Sequence, residues 1–163
     1  MVRFETSHGP FTIELFPKEA PVTVQNFLRY VDEGFFDGTI FHRIMPGFVI
    51  QGGGLTADFR NKSAHEPIKN EAQNGLKNTR GMLSMARTDE VNSATSQFFV
   101  NLVDNAFLDH SPKSFGYAVF GRVSEGMDVI DKIARVGTGQ RSGYKDAPLE
   151  DVVIQSARRL KEA

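Results

Sequence analysis

The chain has 163 residues, a length that suits one domain, 1–163, with a sizeable core. Its 19 Lys and Arg against 20 Asp and Glu leave a formal charge of -1, which argues against a nucleic-acid footprint and a polybasic membrane patch. Without cysteine it has no thiol chemistry, disulfide or thiolate metal site, and the opening VRFET shows neither a signal peptide nor a spanning run, so a cytoplasmic protein is expected.

Val2, Phe4 and Thr6 alternate with Arg3 and Glu5, a half-buried strand. His8-Gly9-Pro10 turns the chain, and Phe11, Ile13 and Leu15 continue as the second strand of a hairpin. After a break from Pro17, Pro21 fits a first helical position, and Val24, Phe27, Leu28 and Val31 follow at i, i+3, i+4, i+7 up to Gly34. Thr39 to Gly54 reads as two short strands around a Pro46-Gly47 turn. A period of two puts Phe41, Arg43 and Met45 on one face and His42 and Ile44 on the other. Arg43 among such apolar neighbours either snorkels out of a barrel or stands as a fixed cation on the wall of an apolar pocket.

Leu55 to Arg80 has no sustained period and reads as a long loop, either functional or merely connecting. Met82–Ala86 is a short strand, 87–96 a polar loop, and Gln97–Leu102 a strand whose adjacent Phe98 and Phe99 must face opposite sides. The stretch 105–114 is loop again, and Tyr117 to Gly121 is a strand. Met127, Ile130, Ile133 and Ala134 form a second helical stripe, with Ser124 as candidate cap. Gly137 to Gly143 reads as flexible, and Val152, Ile154 and Ser156 mark a final strand. Many short strands, two helices and long loops favour an antiparallel barrel or sandwich.

Most familiar chemistries fail on spacing. His8, His42, His65 and His110 make no ligand pair on one element, so no metal is expected, and His42 should pack or hydrogen-bond within the barrel wall. Gly52-Gly53-Gly54 is followed by no GK[ST] and opens no helix, so it is a poor phosphate cradle. What remains is an apolar cleft with Arg43, Gln51 and Gln97. That set lacks a nucleophile or base, and suits peptide binding or amide polarisation.

FHRIMPGFVIQGG, followed by GMLSMA, SQFFV and GYAVFG, closely resembles the cyclophilins, the peptidyl-prolyl cis-trans isomerases. The likeness runs from Val2 through the last strand. The segment EPIKNEAQNGLKNTRG is most like that of the small cytoplasmic bacterial isomerase of this family. The resemblance implies a mainly β fold, a closed eight-stranded antiparallel β-barrel capped by two α-helices. It implies Arg43 as the catalytic residue and no cofactor. Phe48, Val49, Phe99 and Leu108 would receive the substrate proline, and Gln51 would bond the substrate backbone and orient Arg43. Ala86, Arg87 and Thr88 would pair with the substrate through their main chain, and Gln97 would lie at the pocket's edge. Val49, Phe107 and Tyr117 stand where Met, Trp and His are usual in eukaryotic members, which implies weak cyclosporin binding. Proline-containing peptides and unfolded chains are the implied partners of a monomeric enzyme. A proline-peptide-binding or chaperone module is the rival reading, and a barrel for single-stranded nucleic acid a third.

Overall fold

A computed structural model describes residues 1–160. Ten strands and two helices follow in chain order: β1 (Val2–Thr6), β2 (Gly9–Leu15), α1 (Pro21–Asp32), β3 (Arg43–Met45), β4 (Val49–Gly52), β5 (Met82–Met85), β6 (Phe98–Asn101), β7 (Val119–Glu125), α2 (Met127–Ala134), β8 (Thr138–Arg141), β9 (Tyr144–Pro148) and β10 (Ile154–Arg159). Eight of them form one antiparallel sheet in the order β10-β1-β2-β7-β5-β6-β4-β3. The alternation in β1 puts Val2, Phe4 and Thr6 inward, as expected.

The sheet is a curled half-barrel. Its end strands β10 and β3 form no ladder with one another, so the expected closed barrel is observed as an open, curled sheet. The chain just before each end strand meets at a short seam. There Gly38 N–H donates to Ile154 O at 2.8 Å, Ile154 N–H to Thr39 O at 2.8 Å, and Phe41 N–H to Val152 O at 3.0 Å.

The core is built on phenylalanine. Phe4 stacks on Phe11 with centroids 4.8 Å apart, and Phe27 of α1 meets Phe120 at 5.0 Å and Phe98 edge-on at 5.6 Å. Such aromatic pairs add about 0.5–1.5 kcal/mol each beyond the area they bury. Ile130 and Ile133 of α2 join the same cluster. Helix α1 packs against β10, and α2 against β2, β3 and β4. Among the described residues no helix is long and apolar enough to cross a membrane.

Four expectations change. Gly137 to Gly143 is not a flexible run: β8 and β9 pair as a second, two-stranded sheet. Their turn holds Ser142 at φ 49° and Gly143 at φ 84°, the pair of positive φ values that matches the right-handed twist of a hairpin. Ser124 does not cap α2; its hydroxyl donates to Thr12 O at 3.3 Å, and Gly126 occupies the cap position. Phe41 and His42 lie outside β3, so the period of two fails there, and Phe41 enters the main core together with Ile44. In β10 a register shift opposite Glu5 and Thr6 brings Ala157 inward in place of Ser156.

The stretch 55–80 is irregular apart from one 3₁₀ turn, Ala72–Asn74, yet it is tied down. Glu71 accepts hydrogen bonds from Thr23 N–H and the Thr23 hydroxyl, both at 2.6 Å, and from Val22 N–H at 3.2 Å. A loop carboxylate therefore caps α1, whose own residues provide no side-chain cap. Tyr30 OH accepts from His65 N–H at 2.9 Å, and the His65 ring lies against Tyr30 and within 2.6 Å of Glu33.

Candidate functional site

The site grows from a row of side chains across three strands. Arg43 in β3 stands opposite Gln51 in β4, and Gln51 stands opposite Phe99 in β6. Directly paired residues share a face of the sheet, so guanidinium, amide and phenyl ring project together. The alternation in β4 sends Ile50 into the main core and turns Val49 toward the other face, where it joins Phe99 and Leu108 in a separate apolar cluster. Phe48, Ala86 and Tyr117 pack against that cluster. The register of β6 puts Phe98 in the core and Phe99 in the cleft, as the sequence predicts.

The resulting hollow holds about 110 Å³. Val49, Phe99 and Leu108 line it with Phe48, Ala86 and Tyr117, while Arg43, Gln51 and Arg87 supply its polar groups. Of the two readings of Arg43, the structure supports the cation on a pocket wall. Arg43 Nη1 donates to Gln51 Oε1 at 3.5 Å, and Gln51 Nε2 donates to Gln97 Oε1 at 2.9 Å. Gly54 makes room for this chain, since a Cβ there would come within 2.4 Å of Gln97 Cγ. The glycine run thus serves packing.

Thr88 and Gln97 line a neighbouring, more polar hollow of about 160 Å³, which shares Gln51, Ala86 and Arg87 with the first. Ser93 and Thr95 also line it and are absent from the sequence candidates. No periodicity marks them; only the hydrogen bonds from Thr88 N–H and the Thr88 hydroxyl to Ser93 Oγ, at 2.9 and 2.8 Å, bring Ser93 to the site. Ala86 N–H is likewise engaged, by Gln97 O at 3.0 Å. Of the segment 86–88, the Ala86 carbonyl and the Arg87 main chain are the parts without a hydrogen-bond partner among the described residues. The Arg87 side chain bonds Gly116 O at 3.0 Å and lies over the Tyr117 ring at 4.7 Å. Phe107 does not line the hollow. It stands on the rim, 70% exposed, stacked on Phe48 at 5.6 Å.

His42 is next to Arg43 in sequence and apart from it in role. Its ring is buried against Tyr144, and Nδ1 has no hydrogen-bond partner among the described residues. Burial, helped by the charge of Arg43, pushes its pKa down to about 4. It therefore packs in the wall without the hydrogen bond at Nδ1, and it is neutral at pH 7. Among the described residues no group of His, Asp or Glu could hold a metal ion.

The chain is similar to known proteins over nearly its whole length. The family described as cyclophilin type peptidyl-prolyl cis-trans isomerase/CLD matches residues 1–159. Peptidyl-prolyl cis-trans isomerase B of Escherichia coli is 55% identical over 159 residues, covering 96% of this chain and 97% of that protein. Peptidyl-prolyl cis-trans isomerase A of Dickeya dadantii is 53% identical over 161 residues, covering 99% of this chain and 85% of that protein. Among solved structures, a cyclophilin-type isomerase of Cryptosporidium parvum, crystallised in the presence of the dipeptide Ala-Pro, is 26% identical with a TM-score of 0.81 and covers 99% of each chain.

Proposed function

The chain belongs to the cyclophilin-type peptidyl-prolyl cis-trans isomerases, and from that premise we propose that Arg43 is its catalytic residue and the Val49–Phe99–Leu108 hollow its proline pocket. The observation that carries the reading is a guanidinium on the rim of an apolar hollow, held by an amide that is itself held.

The peptide C–N bond resists rotation by about 18–20 kcal/mol because of its partial double-bond character. A donor aimed at the proline nitrogen favours the twisted state, in which the nitrogen lone pair is localised. Arg43 provides that donor and stays charged across the working pH range. The Gln97–Gln51 pair limits the freedom of the fork, so less order has to be imposed at the moment of rotation. Phe99, Val49 and Leu108 clamp the ring and keep water out, which strengthens the Arg43 contact. Phe48, Gln51 and Tyr117 complete the walls. The Arg87 main chain, flanked by Ala86 and Thr88, is positioned to pair with the extended substrate, and Gln97 bounds the pocket edge. Rotation makes and breaks no bond, so the scheme calls for no nucleophile, base or cofactor.

The same proposal includes proline-containing peptides and unfolded chains as substrates of a cytoplasmic monomer formed by one domain over 1–163. It treats the curled sheet as a barrel closed through the 38–41 and 152–154 seam. The exposed Phe107, stacked on the half-buried Phe48, favours the rival reading of a chaperone-like grip on apolar chain segments. Weak cyclosporin binding belongs to it as well. A protease-coupled assay on a short Ala-Pro peptide, comparing the parent with Arg43→Ala, tests the assignment of Arg43; equal turnover would overturn it.

A further inference from the structure

Behind the apolar hollow lies a buried polar network that none of the chemistry above uses. We propose that Asn78, Asn101, Asn105 and Asp109 are positioning residues that fix the wall of the proline pocket and so set substrate affinity. This rests on the reading of that hollow as the proline site.

Asn78, Asn101 and Asn105 are each at most 3% exposed. Burying three amides is costly unless their donors and acceptors are met, and here they meet one another. Asn105 Nδ2 donates to Asn101 Oδ1 at 2.9 Å, and Asn101 Nδ2 donates to Asn78 Oδ1 at 3.1 Å. Asp109 Oδ1 accepts from Asn78 N–H at 2.6 Å and from Asn78 Nδ2 at 3.1 Å. None of the four side chains lines the hollow.

Asn101 Nδ2 also donates to Met82 O at 3.1 Å, and the Ser84 hydroxyl donates to Asn78 Oδ1 at 2.5 Å, while other bonds reach the backbone of residues that line the hollow. Asn105 Nδ2 also donates to Phe48 O at 3.1 Å. Asn105 O accepts from Leu108 N–H at 3.0 Å, and Leu108 O accepts from Tyr117 N–H at 2.9 Å. Asn101 pairs with Val49 across the β4–β6 ladder. Thus Phe48 and Val49, Leu108, and Tyr117, which come from three separate stretches of chain, are tied through side chain or main chain to one cluster of buried asparagines. Arg43 and Gln51 are not. The network therefore holds the ring-binding wall independently of the guanidinium.

A wall that grips the ring alike in the planar and twisted states affects binding more than the rate at saturation. With an Ala-Pro tetrapeptide as substrate, Asn105→Ala should raise KM about fivefold or more and keep kcat within about threefold. Asp109→Ala should move KM the same way. Asp109→Asn keeps an acceptor for Asn78 and should stay near the parent. Asn74→Ala serves as the control: Asn74 Nδ2 bonds Val119 O at 3.0 Å, away from the hollow, and its loss should lower Tm with KM unchanged. If Asn105→Ala does not fold, the half-buried Asp109 decides. A lowered Tm with unchanged KM in the network variants would overturn the inference. Phe99→Ala tests the underlying reading separately, since an unchanged KM in that variant would instead remove the hollow from the substrate site.

Discussion

Gln51 stands directly across the β3–β4 ladder from Arg43 and accepts from its guanidinium at 3.5 Å, while the other end of the Gln51 amide is held by Gln97 at 2.9 Å. The long arginine side chain thus leaves the sheet with one preferred direction. Arg43→Ala should lower kcat/KM by at least about tenfold, or about 1.4 kcal/mol of transition-state stabilisation, with the fold kept because Arg43 is exposed. Arg43→Lys should also be poor, because a point charge cannot reproduce the fork. Near-normal turnover in either variant would refute the assigned role.

Activity should be flat between about pH 6 and about pH 9, since Arg43 stays charged and His42, with its pKa pushed down to about 4, stays neutral. Stability should respond on the acid side. The unfolded chain binds a proton at His42 below about pH 6.5, whereas the folded chain refuses it until about pH 4. The contribution of neutral His42 is therefore complete above pH 6.5 and lost as pH falls toward 4, on the order of 3 kcal/mol in all. Glu33, Asp37 and Asp131, each lowered chiefly by a hydrogen bond to a basic side chain, lose their contributions in the same direction at lower pH still. Melts at pH 7, 5.5 and 4.5 measure this, and His42→Phe should flatten the upper part of the curve. A bell-shaped activity profile centred near neutrality would mean that a titrating base takes part in the reaction.

Phe98→Ala should be the more destabilising of the paired phenylalanine changes, by about 3–5 kcal/mol, because Phe98 is fully buried and touches Phe4, Phe27, Phe36 and Phe41. Phe99→Ala should cost less stability and more activity. Denaturant melts and peptide turnover on the two variants give the ranking, and the reverse order would contradict the register of β6.

Glu71→Ala should remove the cap of α1 and cost about 1–2 kcal/mol, with Glu71→Gln intermediate. Both should leave kcat/KM unchanged, since Glu71 lies outside both hollows. Chemical denaturation of the three proteins reads the difference, and equal midpoints would show that the loop does not support the helix.

Phe107→Trp should tighten cyclosporin by about tenfold with little change in kcat/KM. The substitution adds an indole N–H and more surface at a rim position that is 70% exposed and outside the hollow. The chain has no other Trp, so the variant reports its own binding by fluorescence. An affinity equal to that of the parent would show that the rim at 107 does not meet the ligand.

Where side chains alternate or recur at helical spacing, the fold could be read directly. The β1–β2 hairpin, the Val24–Phe27–Val31 stripe of α1 and the opposed Phe98 and Phe99 all stand as their periods require. Arg43, Gln51 and Phe99 could be named in advance through the spaced family blocks, but their alignment in one row is a matter of register between strands far apart in sequence. The β8–β9 hairpin was hidden because its strands are polar and only Ala147 and Pro148 are buried. The bend between Phe41 and Arg43 has no local cause; it arises because residues 38–41 cross to meet 152–154. The loop 55–80 looked unstructured for a similar reason. Its anchors, Glu71 to Thr23 and His65 to Tyr30, are polar contacts over long separations, which leave no period behind.

The order of the sheet also governs how this molecule can come into being. Its last strand, β10, lies beside its first, β1, and the chain just before β10 forms the seam. β1 must therefore wait, unpaired on one side, until residues 154–159 are available. A native state that pairs strands so far apart in sequence carries a large loop-closure entropy and folds slowly for its size. This isomerase fold should therefore itself form slowly, its first strand completed only when β10 docks beside it.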